Sequence, residues 1–363
     1  MIRGGTSYRR ARGPDNLPPM IETVPASAAR PALPESPLVF VHIPKTAGMT
    51  LARILQYHYR DAFEGTGKPK GGRTPPDRRS PNVFCRFEHV DGRLRAIAAK
   101  PKIRAVVGHI TFGLHDRLPP DARYITILRD PVERTLSQYY FYVRPPAGRT
   151  GVWAGLVPPW LQQPSPELTL EECLTERGYI PDNLQTRMLC GLVSPYDPLP
   201  PRALEQALHN LRDRFAFVGT TERFDEFLAL LNLELRWPAL AYEQWNENSA
   251  RPRKEDLTSD VLRLVEERNA LDRELHACAG ELLAEALERA GPELERELEV
   301  IRGAHKLREA RERGGAGDPL AAIRSLPFAA RIELALKEGE LAGAQFRIGK
   351  LERKLHWQRH QGR

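Results

Sequence analysis

The chain is poor in cysteine. Its 363 residues contain four, Cys85, Cys173, Cys190 and Cys278, scattered and without a C-x-x-C pair, which excludes a disulfide framework and a zinc knuckle and predicts reduced, mostly buried thiols. It also lacks an H-E-x-x-H motif among its 10 histidines, so no metal site is expected. No apolar run approaches the roughly 18 to 20 residues that span a bilayer. The first thirty residues carry Arg3, Arg9, Arg10 and Arg12 followed by prolines rather than an apolar stretch, which predicts a soluble, cytoplasmic protein. Nor is there a strong charge of one sign: 54 Lys and Arg against 47 Asp and Glu leave +7. From Lys306 to Arg363 there are 13 basic and 7 acidic side chains, so this tail holds +6 and the rest of the chain only about +1. A body that binds polyanions over its whole surface is disfavoured by that distribution, and nucleic acid is not an expected partner. What the chain does have, 41% hydrophobic and 28% charged residues, is the composition of a folded globular body, with 32 prolines and 27 glycines promising long loops.

The stretch to about Pro37 is rich in Pro, Ala, Arg and Ser without periodicity and reads as a flexible arm over residues 1–37. Order is expected to begin at Leu38. Leu38-Val39-Phe40-Val41-His42-Ile43 is too short and too uniformly apolar for an amphipathic helix and predicts a strand buried on both faces. Similar runs are Arg104-Ala105-Val106-Val107-Gly108, Tyr124-Ile125-Thr126-Ile127-Leu128 and Phe215-Ala216-Phe217-Val218-Gly219. Buried strands alternating with helical patterning imply an α/β fold, a central, mostly parallel sheet flanked by helices, whose ligands lie beyond the carboxyl ends of the strands. Two loop-rich inserts, Gly65 to Pro81 and Arg144 to Pro166, have the length of lids or disordered segments, and the second holds Trp153 and Trp160, suited either to stacking on a sugar or to anchoring a lid.

After Thr258 the pattern turns helical, with breaks at Gly291-Pro292 and at Gly314 to Pro319. The body is therefore assigned to residues 38–285 and a basic helical C-terminal extension to 286–363, without deciding whether those helices pack on the body or project from it. In the extension Leu334, Leu341, Ile348 and Leu355 recur at heptad spacing, the pattern of a helix for docking a partner or a second copy of the chain.

The first predicted strand runs into His42-Ile43-Pro44-Lys45-Thr46-Ala47-Gly48-Met49-Thr50-Leu51. A turn of small residues feeding a helix N-terminus presents unpaired N–H groups and the positive end of the helix dipole to an anion, and Lys45 adds a formal charge. An ordinary strand-to-helix turn with a surface lysine has the same pattern. A Walker A loop does not, because G-x-x-x-x-G-K-[ST] is absent and the lysine precedes the glycine. The third strand runs into Leu128-Arg129-Asp130-Pro131-Val132-Glu133-Arg134-Thr135-Leu136-Ser137. Asp130 as N-cap, Pro131 at the first helical position and Glu133 at the third form a capping signature. Arg129 is then at the strand end and Ser137 two turns into the helix, placed to converge on one anion if the helix packs beside the strand.

Taken together, Pro44-Lys45-Thr46-Ala47-Gly48 and the Leu128–Ser137 segment resemble the 5′-phosphosulfate and 3′-phosphate segments of sulfotransferases that use 3′-phosphoadenosine 5′-phosphosulfate (PAPS). The likeness is to the carbohydrate branch that includes the heparan sulfate 2-O-sulfotransferases, with a P-loop-like fold. Val107-Gly108-His109-Ile110-Thr111-Phe112, Asn183-Leu184-Gln185-Thr186-Arg187 and Phe217 to Phe224 extend it, over about Leu38 to Ala279. The resemblance implies PAPS as co-substrate, no metal, and sulfuryl transfer to a hydroxyl on a carbohydrate acceptor. It implies Lys45 at the leaving phosphate and Thr46, Ala47, Gly48, Met49 and Thr50 around the 5′-phosphate, with Met49 standing where many relatives have Thr or Ser. Arg129 and Ser137 would hold the 3′-phosphate, and His109 would act as general base in preference to His42 and His115. Ser249 and Arg251, in Asn246 to Arg253, lie where relatives fold a basic loop over the nucleotide; an exposed linker fits that segment equally well. Two other classes compete: a kinase-like phosphoryl transferase, opposed by the missing Walker A order and the lack of a clear acidic Mg²⁺ ligand, and a non-catalytic scaffold docking through its basic tail.

Overall fold

The computed structural model describes residues 36–59, 104–113, 121–142, 168–175, 180–192, 197–239, 242, 252–312, 332, 334–337 and 339–340. Of the sequence expectations, the arm, both loop-rich inserts with Trp153 and Trp160, Cys85, His115, Ser249 and Arg251 lie outside these residues, apart from the two positions preceding Leu38.

Four short strands form the centre: β1 (Leu38–Val41), β2 (Ala105–Gly108), β3 (Arg123–Leu128) and β4 (Phe215–Thr220). All pair in parallel, in the order β2-β1-β3-β4. Each coincides with one of the apolar runs, and β1 is wholly buried, as a strand covered on both faces must be. The run after β1 stays buried through Ile43, but pairing stops once His42 N–H has reached Gly108 O at 2.9 Å; Pro44 has no N–H with which to resume it.

The helices are α1 (Gly48–His58), α2 (Pro131–Tyr142), α3 (Leu170–Thr175), α4 (Leu184–Leu189), α5 (Ala203–Asp213), α6 (Phe224–Leu235), α7 (Ser259–Arg268), α8 (Ala270–Ala290) and α9 (Pro292–Glu312). Alternation along the strands sorts them into two layers. Leu38, Phe40, Val107, Ile125, Ile127 and Phe217 share a core with α1, α6 and α9, while Val39, Val41, Val106, Tyr124, Leu128 and Val218 share the other with α4, α5 and α8. In β4 the register slips beside Tyr124 and Ile125, which pair with Phe215 and Phe217. The extra residue, Ala216, is exposed. This bulge lets Phe215 and Phe217 serve opposite faces, which a strict period of two forbids. A third cluster joins α2 to α3 and α7 through Val132, Leu136, Cys173, Leu174 and Val265.

The question of the terminal helices is answered for α9. Leu294, Leu298, Ile301, Ala304 and Leu307 are buried in the same core as Phe40 and Phe227, so this segment packs on the body rather than projecting from it. Ile332, Ala335 and Leu336 join the same core, whereas Leu334, the one heptad leucine among the described residues, is 50% exposed.

At β4 the approach of α6 is close enough to demand a missing side chain: a Cβ on Gly219 would sit 2.4 Å from Cγ of Phe227, a fully buried ring. Gly219→Ala should therefore cost about 1–3 kcal/mol of stability through overpacking, measured as a lower urea midpoint at unchanged slope.

Candidate active site

A strand order of β2-β1-β3-β4 means that the chain leaves β1 toward one edge and later crosses to the other, so the topological switch falls between β1 and β3. The loops leaving those two strands diverge there and open a crevice at their carboxyl ends. The loop after β1 carries Lys45, and the loop after β3 carries Arg129.

The Lys45 loop is tightly wound. Lys45 and Ala47 have φ of 72° and 57°, left-handed conformations that side chains with a Cβ adopt only under constraint. The constraint is local: Thr46, fully buried, donates its hydroxyl to Ile43 O at 2.9 Å, and Thr50 N–H donates to Ala47 O at 2.9 Å. The Thr46 hydroxyl proton is thereby committed to the turn. α1 starts at Gly48 with Ala47 as its N-cap, has no side-chain cap, and has no acidic residue in its first turn. Its first N–H groups therefore keep the positive potential that an anion needs. Gly48 cannot carry a side chain, since a Cβ would lie 2.0 Å from Cδ2 of His42. Lys45, Thr46, Ala47, Gly48, Met49 and Thr50 thus form one continuous turn and helix start, and the donor set fits a phosphate.

At the second loop, Asp130 caps α2 by accepting the Glu133 N–H at 2.9 Å. The predicted reciprocal half of the capping box does not form. Asp130 N–H goes instead to Glu222 Oε1 at 2.8 Å, and the Glu133 carboxylate takes the Arg129 guanidinium at 3.4 Å. The other arm of that guanidinium donates to the carbonyl of Lys45 at 3.2 Å, so the two predicted motifs meet. Lys45 Nζ lies 3.7 Å from the centre of the Phe141 ring, within cation–π range. Glu133, Ser137 and Phe141 are spaced by four on α2 and share one stripe. Because its two flanking members touch Arg129 and Lys45, half-buried Ser137 faces the same loops.

His109, just past β2, contacts the loop from the other side. Its Nδ1 is 2.7 Å from the carbonyl of His42, and the two rings are 4.3 Å apart. A carbonyl only accepts, so Nδ1 carries the proton and the Nε2 lone pair is the basic one. Burial pushes the His109 pKa below its ordinary 6.5, against the raising effect of the His42 carbonyl, and the charge of Lys45 lowers it further. Burial, His109 and Lys45 hold His42 well below the same value. Both rings are neutral near pH 7.

Some participants were not singled out by the sequence. Gln185 is fully buried, and its side-chain amide bonds both the N–H and the C=O of Arg129, each at 2.9 Å. Its motif signalled only family likeness. Asp272, on α8, is also fully buried and receives Gln185 N–H, Thr186 N–H and the Thr186 hydroxyl at 3.1, 2.7 and 2.8 Å. Burial pushes its carboxyl up from the ordinary value, while the charge of Arg134 and these donors pull the other way. In sequence it is one more charge on an amphipathic helix, with no signal to mark it. Among the described residues, no group of three or more His, Cys, Asp and Glu is arranged to hold a metal ion, and no helix is long and apolar enough to cross a membrane. Cys173, Cys190 and Cys278 are free thiols.

Comparison with known proteins follows the same lines. A family model described as galactose-3-O-sulfotransferase matches residues 15–326. Heparan-sulfate 6-O-sulfotransferase 1 of Gallus gallus is 32% identical over 276 residues, which cover 67% of this chain and 64% of the relative. The Homo sapiens protein of that name is 31% identical over 286 residues, 68% of this chain and 65% of its own length. Heparan sulfate 2-O-sulfotransferase 1 of Cricetulus griseus is 32% identical over a shorter stretch of 117 residues, 31% of each chain. The chain thus spans just under two thirds of the length of these two 6-O relatives, which match it over a longer stretch than the 2-O relative does.

The histidine pair predicts a pH dependence. With both pKa values depressed in the folded state, the unfolded chain binds more protons just below pH 6.5. The stability that the pair contributes is therefore complete above that value and is lost as pH falls toward the folded pKa values. Urea midpoints should drop between about pH 7.5 and 5.5, and drop less for His109→Asn, whose amide N–H replaces Nδ1–H. Equal drops in the two proteins would show that His109 is not buried as a neutral ring.

Proposed function

The chain belongs to the galactose-3-O-sulfotransferase family, and on that premise we propose that it moves a sulfuryl group from PAPS to a hydroxyl of a carbohydrate. The observation that carries the reading is the Arg129 guanidinium bonded to the Lys45 carbonyl at 3.2 Å. It brings a cradle for one phosphate and a cation for a second to within the span of a single nucleotide. The acceptor class is supported by the relatives, whose names specify galactose or heparan sulfate.

In this reading the first-turn N–H groups of α1 hold the 5′-phosphate end, and Arg129 with Ser137 holds the 3′-phosphate that distinguishes this donor from AMP or ATP. PAPS supplies the sulfur electrophile. An S–O bond forms to the acceptor oxygen as the S–O bond to the bridging phosphate oxygen breaks. Lys45 stabilises the negative charge that collects on that bridging oxygen. His109 Nε2 takes the proton released by the acceptor hydroxyl, and the carbonyl of His42 orients the imidazole and supports the charge it gains. 3′,5′-Adenosine bisphosphate leaves. The depressed His109 pKa keeps the base unprotonated at neutral pH, which places the acid limb of the rate profile below pH 6.5.

Calorimetry should show 3′,5′-adenosine bisphosphate binding at least tenfold more tightly than AMP, as an added charge-assisted contact of about 1.5–3 kcal/mol requires. Equal affinities would remove the case for a 3′-phosphate site at Arg129. With labelled PAPS and a panel of glycans, Lys45→Ala should abolish transfer. His109→Ala should lower turnover by about 10² to 10⁴ while leaving bisphosphate affinity unchanged; loss of donor binding instead would overturn its role as base.

A further inference from the structure

We propose that Gln185 is a positioning residue for the 3′-phosphate subsite, acting through the main chain of Arg129, with Asp272 as the anchor that holds Gln185 in place. The inference rests on the donor reading above and extends it to residues that would not touch the nucleotide.

Arg129 needs such a support. The β3 ladder ends at Leu128, paired with Thr220, and Pro131 begins α2 three residues later. The N–H and C=O of Arg129 therefore fall in the link between sheet and helix, where the main-chain donor and acceptor each need a partner. Gln185 supplies both: Oε1 accepts the N–H and Nε2 donates to the C=O, each at 2.9 Å. Because a backbone N–H only donates and a carbonyl only accepts, this pairing settles which way the amide points. Two parallel bonds to one peptide segment restrain its rotation as well as its position. The side chain hanging from that segment is the guanidinium bonded to the Lys45 carbonyl.

Gln185 is held in turn. It lies in the first turn of α4, where helix N–H groups have no intrahelical acceptor. Asp272 takes the N–H of Gln185 with Oδ2, and the N–H and hydroxyl of Thr186 with Oδ1. The favour is returned: Asn183, left-handed at φ 46°, accepts the N–H groups of Leu271 and Asp272 at the start of α8, at 2.9 and 3.2 Å. Each helix start is thus capped by a side chain from the other. A buried carboxylate is costly unless its oxygens are occupied, and here three donors occupy them.

A displacement of the order of 1 Å in a binding group is enough to forfeit much of its effect. Loss of the Gln185 clamp should therefore weaken recognition of the 3′-phosphate without touching the 5′ end. Gln185→Met keeps the volume and removes both bonds; Gln185→Glu keeps the acceptor for the Arg129 N–H and replaces the donor facing its C=O. Bisphosphate and AMP affinities are measured by calorimetry for the wild type and both variants, with thermal melts to establish folding. The expected result is about a tenfold loss for the bisphosphate in Gln185→Met, a smaller loss in Gln185→Glu, and unchanged AMP affinity in both. If Gln185→Met does not fold, the Gln185→Glu measurement decides alone. A wild type that prefers the bisphosphate, with variants that keep its full preference or lose both ligands equally, would overturn the positioning role alone. A wild type with no preference would overturn the donor reading and this proposal with it.

Discussion

One hydrogen bond, from the Arg129 guanidinium to the main-chain oxygen of Lys45, is the constraint on which the candidate site depends. The two residues belong to loops that leave neighbouring parallel strands in a sheet whose connections diverge at that point. Such loops have no reason to touch, because each turns toward its own helix. A cation on one that binds a carbonyl on the other ties them together while leaving the lysine side chain to project elsewhere. The same guanidinium also pairs with Glu133, so its approach is set from two directions. Charge-assisted bonds of this kind contribute about 1.5–3 kcal/mol, enough to set the geometry of a loop pair without making it rigid.

The Lys45 turn shows how that geometry is maintained against strain. Left-handed backbone at two residues with side chains costs of the order of 1–3 kcal/mol each. The offset comes from the Thr46 hydroxyl, the Thr50 N–H and the Arg129 guanidinium, each bonded to a carbonyl of the turn. What the strain secures is a helix start with no acidic side chain and no capping side chain to compete for its N–H groups. His42 adds a packing condition. Its ring lies where a side chain at position 48 would be, and its carbonyl fixes the proton on His109. One residue thus links the cradle to the candidate base.

Much of this was legible before the structure. The four strands are continuous apolar runs because each is buried on both faces, and a run of that kind needs no partner to be recognised. The capping signature at Asp130 to Glu133 is equally local, although Glu133 is drawn away from the reciprocal bond by the adjacent arginine. Gln185 and Asp272 were not legible as site residues. Their importance comes from hydrogen bonds to main-chain groups on other segments, Arg129 in one case and the start of α4 in the other. Such needs leave no periodic trace. Nor did pattern alone show that α9 closes the same core as β1, since an amphipathic helix exposes its apolar face identically whether it meets its own domain or a partner.

By itself the amino-acid order determined the strands, the starts of α1 and α2, and the residue types at the ends of β1, β2 and β3. These depend on interactions within a few residues and on which faces must avoid water. Tertiary structure decided that β1 and β3 lie side by side, that Arg129 reaches Lys45, that His109 leans on His42, and that a buried aspartate from α8 accepts the first donors of α4. Those outcomes follow from strand order and from the cost of leaving a buried polar group without a partner, which distant segments relieve where they pack against one another.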